Sequence, residues 1–275
     1  MKSRVINLAG LDESLASNDR GLAYGDGVFE TLLVHAGEPV WWHEHWQRLV
    51  YGAQTLKIPV PDETMVRKVT NKLLSGENRC VLKIILTRGV GGRGYAAPIH
   101  QDPRVIISVH PVPATLHNGV NLRWCETRLS QQPLLAGIKH LNRLEQVLAR
   151  NEWQDETIFD GLMCDQDDNA VCATSANVFV KLGEQWLTPK LDRSGIAGIA
   201  RAWVLKQWPH IREAHLSRSQ VEQAGAVFIC NAVRGILSVN RLGESVFTMD
   251  KEIRELQTRL AMEQPAFAWG EESGA

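Results

Sequence analysis

The chain has 275 residues, 44% of them hydrophobic, and carries 30 Lys and Arg against 31 Asp and Glu, for a formal net charge of -1. Without a basic run or a charge excess, nucleic acid and anionic membrane are excluded as main partners, and apolar runs such as 81–86 and 224–230 are far too short to span a bilayer. The length favours two domains of about 100 to 150 residues each, and the apolar stretch after Lys2 and Arg4 stops at Asp12 and Glu13, which is no signal peptide and points to a cytoplasmic protein.

In chain order, the patterning predicts a strand pair over 28–34 and 38–42, a helix over 44–56 and a second helix over 62–74. Strands over 81–87 and 104–109 then bracket a glycine-rich loop. The stretch from His110 to Gly119, with Pro111 and Pro113, changes the texture and places a linker at 111–118, between a small domain at 1–110 and a large one at 119–275. Beyond it come a strand over 121–126, a helix over 142–151, a strand-rich region over 161–187, a helix over 199–207, a strand over 226–231 and a last helix over 251–261. Strands and helices mix without strict alternation in both halves, so the expected class is α+β in two domains, not one doubly wound sheet.

Lys139 precedes a strong helix pattern and has His140 and Arg143 as near neighbours. Cations folded against a lysine disfavour its ammonium form, which makes Lys139 either a reactive amine able to form a Schiff base or a solvated charge beside a helix. Gly195 and Gly198 stand just before the run beginning at Ile199 and Ala200, either a simple turn or a place where open N–H groups at a helix start hold a phosphate. Arg48, on the helix over 44–56, is either an exposed ion-pair partner or a bidentate clamp for such a phosphate. An amine with a phosphate cradle is what pyridoxal 5'-phosphate requires.

Other patterns carry less. His43 and His45 flank Glu44, but the further ligands of a metal signature are missing. The five cysteines are odd in number and form no C-x-x-C pair, as expected of reduced thiols. The nine tryptophans, with Trp41, Trp42 and Trp46 close together, fill either a core or an interface.

The segments 19–31 (Asp-Arg-Gly-Leu-Ala-Tyr-Gly-Asp-Gly-Val-Phe-Glu-Thr), 45–49, 139–144, 175–179 (Ser-Ala-Asn-Val-Phe) and 198–201 run in the order found in the class IV pyridoxal-phosphate enzymes, which the chain resembles over essentially its whole length. That family includes branched-chain aminotransferases, D-amino-acid aminotransferases and 4-amino-4-deoxychorismate lyase. Residues 87–95 and 137–146 look most like the lyase.

The resemblance implies a homodimer of D-amino-acid aminotransferase-like fold, with the cofactor between the two domains. It makes Lys139 the Schiff-base lysine and general acid/base, and gives the phosphate to Arg48, to the amides of Ile199 and Ala200, and to the backbone of Ala232, where the family usually has threonine. Arg93 and Tyr95 match the carboxylate-recognition positions for a small-molecule carboxylate substrate. Thr31 matches a threonine near the lysine that steers a proton, although a strand threonine without a role fits equally well.

One position departs from the family pattern. Five residues before Asn177, where the family has a glutamate on the ring nitrogen, this chain has Cys172. Three explanations are open: a tolerated substitution, a compensating group elsewhere, or weakened activity. Aromatisation of the product makes the lyase reaction the one best able to tolerate a weaker electron sink. A D-amino-acid or branched-chain aminotransferase, and a non-catalytic binder of the cofactor, are the alternatives.

Overall fold

The computed structural model describes residues 2–114, 116 and 118–268, and the statements below concern these. The chain divides into two compact units, Met1–Pro113 with Ile138–Asn142, and Ala114–Gly137 with Arg143–Ala275. Of the linker expected at 111–118, positions 115 and 117 lie outside the described residues.

In the first unit, β1 (Lys2–Ile6), β2 (Gly27–His35), β3 (Glu38–Pro39), β4 (Arg79–Thr87) and β5 (Arg104–His110) form an antiparallel sheet in the order β1-β5-β4-β2-β3. The helices are α1 (Arg20–Tyr24), α2 (Trp42–Thr55) and α3 (Glu63–Leu74). The period of two along β2 gives its faces different jobs. Val28, Leu32 and Val34 pack with Trp46, Leu49 and Ala53 of α2 and Val66 and Leu74 of α3 in the core, and Phe29 and Thr31 stand half-buried on the opposite face.

The strand expected over 38–42 ends at Pro39, and one further bond to β2, Val40 N to Leu33 O at 2.8 Å, follows before the chain turns away. Trp41 turns into the left-handed region at φ 54, and α2 begins at Trp42. The spacing of Trp42, Trp46, Leu49 and Ala53 is that of one helix face, and this overrides the strand preference of the aromatic pair. Trp42 and Trp46 stack at 6.1 Å, Trp42 Nε1 donates to Glu63 Oε1 at 2.8 Å, and both rings pack on the first unit's core. α3 starts one residue after the predicted 62 because Asp62 caps it, accepting from Met65 N at 2.8 Å.

The helix expected over 142–151 is shortened to α4 (Leu144–Arg150), because the residues before it are committed elsewhere. Ile138–Asn142, expected with the second domain, belongs to the first unit and runs beside β2. Phe29 N donates to Lys139 O at 2.9 Å, Leu141 N to Gly27 O at 3.0 Å and Asn142 Nδ2 to Gly25 O at 3.1 Å, while Ile138 is buried in the core.

The second unit adds β6 (Val120–Trp124), β7 (Asp160–Cys164), β8 (Asn169–Ala173), β9 (Asn177–Leu182), β10 (Gln185–Pro189), α5 (Ile199–Gln207), β11 (Arg212–Ala214), β12 (Leu216–Ser217), α6 (Arg218–Glu222), β13 (Ala226–Asn231), β14 (Gly235–Leu242), β15 (Ser245–Val246) and α7 (Lys251–Glu263). Its ten-stranded sheet runs β11-β10-β9-β13-β14-β6-β7-β8-β12, with β15 added on β14. Parallel pairs (β10 with β11, β14 with β6, β6 with β7) stand among antiparallel ones, the mixed arrangement of an α+β fold. Leu122, Leu162, Val178, Val180, Val227 and Val239 fill its core.

Candidate active site

Lys139 lies across the half-buried face of β2. Its Nζ is 4.2 Å from the Phe29 ring centroid, and the Nζ of Lys83, directly opposite Thr31 on β4, is 5.4 Å from the same ring. Thr31 is two residues from Phe29 on this face, so the strand brings Thr31, Lys83 and Lys139 around one aromatic ring. Lys83 has no counterpart among the sequence-derived site residues, because an isolated lysine in a strand reads as solvent-facing.

The core face of β2 carries Glu30, 1% exposed. Its carboxylate accepts from Arg48 Nε at 2.8 Å, Arg48 Nη2 at 2.6 Å and His45 Nδ1 at 2.6 Å. Burial alone would raise the Glu30 carboxyl, but the charge and hydrogen bonds of Arg48, with the hydrogen bond from His45, outweigh it and hold it at about 2. Burial also lowers His45, against the pull of Glu30, so its ring is neutral and donates through Nδ1. The expected clamp, Arg48, therefore has its guanidinium plane fixed from the strand side. His43 and His45, two residues apart on a helix, point to different partners, His43 to Gln47 and His45 to Glu30.

In the second unit the predicted phosphate residues gather at one corner of the sheet. α5 begins at Ile199 and Ala200 with Gly198 as its N-cap and no side-chain cap, which leaves the first N–H groups of the helix without a side-chain acceptor. A Cβ on Gly198 would lie 2.1 Å from Asn177 Oδ1, so only glycine fits there. Asn177 Nδ2 donates to Ile196 O at 2.9 Å, and Asn177 pairs with Cys230 at the end of β13. Ala232 follows in a turn where Asn231 Oδ1 accepts from Val233 N at 3.0 Å and Arg234 N at 2.8 Å.

Cys172 on β8 is a buried thiol, pushed up to about 12 by burial despite the nearby Arg143. It is a neutral thiol here, not a thiolate standing in for a carboxylate. The turn before Asn177 is built on Asp160, 2% exposed, whose oxygens accept from Gly161 N, from the N and Oγ1 of Thr174 and from the N and Oγ of Ser175 at 2.6 to 3.2 Å. Sequence reasoning missed Asp160, as it did Glu30; each lies far along the chain from most of the groups it holds.

Arg93 and Tyr95 stand exposed on the loop between β4 and β5, Tyr95 at 87%. The loop has four glycines from Gly89 to Gly94, and Arg20 donates to the carbonyls of Gly94, Tyr95 and Ala96.

The model of the family described as Amino-transferase class IV matches residues 27–242. The chain belongs to this family. Class IV members are pyridoxal-phosphate-dependent enzymes, and the α+β fold described above is that of their solved structures. An aminodeoxychorismate lyase of Vibrio harveyi is 34% identical over 250 residues, covering 88% of this chain and 92% of its own. A crystal structure of 4-amino-4-deoxychorismate lyase from Pseudomonas aeruginosa is 40% identical, with a TM-score of 0.88 over 96% of this chain and 99% of the other. A putative branched-chain-amino-acid aminotransferase of Methanocaldococcus jannaschii is 27% identical over 90% of this chain and 89% of its own. Among the described residues no helix is long and apolar enough to cross a membrane.

The residues present fit the family cofactor in two respects and differ in a third. The uncapped start of α5 with its glycine-only approach suits a phosphate, and Lys139 offers an amine. A buried neutral thiol stands at the position matched to the ring-nitrogen carboxylate.

Proposed function

We propose that the chain is a pyridoxal-phosphate-dependent lyase that converts 4-amino-4-deoxychorismate to 4-aminobenzoate and pyruvate. The observation that carries this reading is the face of β2, where Lys139 Nζ lies 4.2 Å from the Phe29 ring with Thr31 and Lys83 beside it. That face offers one amine for chemistry and a second cation for a substrate with carboxylates. Arg48, the amides of Ile199 and Ala200 and the backbone of Ala232 would hold the phosphate, Cys172 would face the ring nitrogen, and Lys139 would carry the cofactor.

When bound, pyridoxal phosphate supplies a ring that accepts the electron pair left as a substrate C–H bond breaks. Lys139 Nζ takes the proton from C4 of the substrate and returns one to the methylene carbon of the departing enolpyruvyl group, which leaves as pyruvate. Thr31 holds its hydroxyl beside that transfer, and Arg93 and Tyr95 bind carboxylate. The C3–O bond breaks as the ring becomes aromatic, and this gain compensates for a ring nitrogen with no carboxylate partner. Transamination has no such gain, so the neutral Cys172 weighs against an aminotransferase. The protein acts as a homodimer in the cytoplasm.

Formation of 4-aminobenzoate and pyruvate by the purified, cofactor-loaded protein tests the reading, with Lys139→Ala run alongside. Product that depends on Lys139 is expected. A protein that takes up the cofactor and forms product equally well without Lys139, or forms none with it, would refute the assignment.

A further inference from the structure

Arg20 is a buried arginine in the middle of the first unit, 4% exposed, and its side chain ends against the loop between β4 and β5. Its Nη1 donates to Gly94 O at 3.1 Å and Ala96 O at 3.3 Å, and its Nη2 to Tyr95 O at 2.9 Å, so one guanidinium holds three consecutive carbonyls. From Gly92 to His100, no loop amide donates a hydrogen bond among the described residues, so these contacts stand in for the ladder the segment lacks.

The clamp is itself fixed. Arg20 Nε donates to Asp26 Oδ2 at 2.8 Å, and the guanidinium lies 4.9 Å from the Tyr24 ring centroid, which meets the Tyr95 ring edge-on at 5.6 Å. Asp26 also takes Arg88 Nε at 2.7 Å and Nη2 at 3.0 Å; burial raises its carboxyl but the two guanidiniums more than reverse this and keep it ionised. Arg88 in turn holds Leu56 O at 2.7 Å, Lys57 O at 2.8 Å and Gln101 Oε1 at 2.8 Å, which anchors the loop's far end. A Cβ on Gly91 would lie 2.6 Å from Arg20 Cδ, so glycine at that position lets the arginine stem pass beneath the loop.

We infer that Arg20 is a positioning residue for substrate recognition. By drawing the carbonyls of residues 94–96 inward it fixes the backbone that carries Arg93 and Tyr95, so both side chains face outward in one arrangement before substrate arrives. The inference rests on the reading of Arg93 and Tyr95 as carboxylate-binding residues. Preorganisation of this kind lowers the ordering cost of binding and leaves the chemical step untouched.

Arg20→Lys and Arg20→Gln in the cofactor-loaded protein test it, and since Asp26 keeps Arg88 as a partner neither leaves a carboxylate unpaired. Two readouts are taken: the rate of tryptic cleavage after Arg93 in the wild type and the two Arg20 variants, read by mass, and KM against kcat, the latter also with Arg93→Ala alone and combined. The expected result is cleavage faster by about tenfold or more and KM higher by about tenfold, with kcat and cofactor affinity held, the usual range for a lost charged contact. The KM effect of Arg20→Gln should vanish in the Arg93→Ala background. Cleavage after Arg93 at the wild-type rate in both variants would overturn the clamp, whatever KM does. Faster cleavage together with an Arg93→Ala protein of unchanged KM would leave the clamp standing and overturn the substrate role given to the loop.

Discussion

The guanidinium of Arg48 meets the carboxylate of Glu30 edge to edge, Nε at 2.8 Å from one oxygen and Nη2 at 2.6 Å from the other, in the interior of the first unit. A fork-to-fork pair of this kind fixes direction as well as distance. It lets a strand residue decide where a helix residue on α2 points.

Glu30→Gln is expected to lower stability by about 3 to 5 kcal/mol, the cost of breaking a buried pair and stranding its cation. The Glu30 carboxyl sits at about 2 in the folded chain against an ordinary 4.5, so its contribution is complete above pH 4.5 and is lost as the pH falls toward 2. His45, also lowered, acts in the same direction, its contribution falling away below the ordinary 6.5. Denaturant unfolding of both proteins between neutral pH and pH 3 should show the difference narrowing only in acid. A constant difference would mean that Glu30 is not the ionised partner.

Cys80, Cys125, Cys164, Cys172 and Cys230 are all buried and free, and burial pushes Cys125, Cys172 and Cys230 up to about 12 and Cys164 to about 11. Titration of the native protein with an aromatic disulfide should therefore find no fast-reacting thiol, and denaturation should release five. Cys172→Glu should raise cofactor affinity or turnover by supplying the missing carboxylate. No change in either would point to another group already supporting the ring.

Asp160→Asn should cost about 3 kcal/mol, because an amide offers one acceptor oxygen and turns N–H groups toward the donors of Thr174 and Ser175. Since the turn it holds leads into Asn177, the variant should also bind pyridoxal phosphate less tightly, measured by equilibrium dialysis. Wild-type thermal stability in this variant would contradict the hydrogen-bond count.

Arg93→Ala should raise KM for the carboxylate substrate by the equivalent of about 2 to 3 kcal/mol with little change in kcat, as expected for a charged hydrogen bond made equally in ground and transition states. Arg93 makes no ion pair among the described residues, so fold stability should not move. A kcat that falls in step with kcat/KM would assign the arginine to the transition state instead.

Much of this was legible in the residues, and the limits were physical. The helices expected over 62–74 and 251–261 announced themselves by their period and formed at 63–74 and 251–263. Local signals failed where distant segments decide: Trp42 reads as strand until its packing partners on α2 are counted, and residues 142–143 read as helix until the pairing of their predecessors with β2 is known. Glu30, Asp160 and Arg20 each look like ordinary surface charges in sequence. Their roles come from partners on other elements, which no spacing rule reveals.

The stitching of Ile138–Asn142 onto β2 has a consequence for biosynthesis. A nascent chain ending at Pro113 already holds Glu30, Arg48, Lys83, Arg93 and Tyr95, but it lacks Lys139 beside Phe29 and Ile138 from its core. At roughly 5 to 20 residues per second the ribosome supplies the intervening stretch within seconds, and the last strip of the first unit then closes over a long stretch of chain. Lys139 is thus among the latest pieces to be seated. On the function proposed above, aldehyde capture by Lys139 would report a first unit whose assembly is finished.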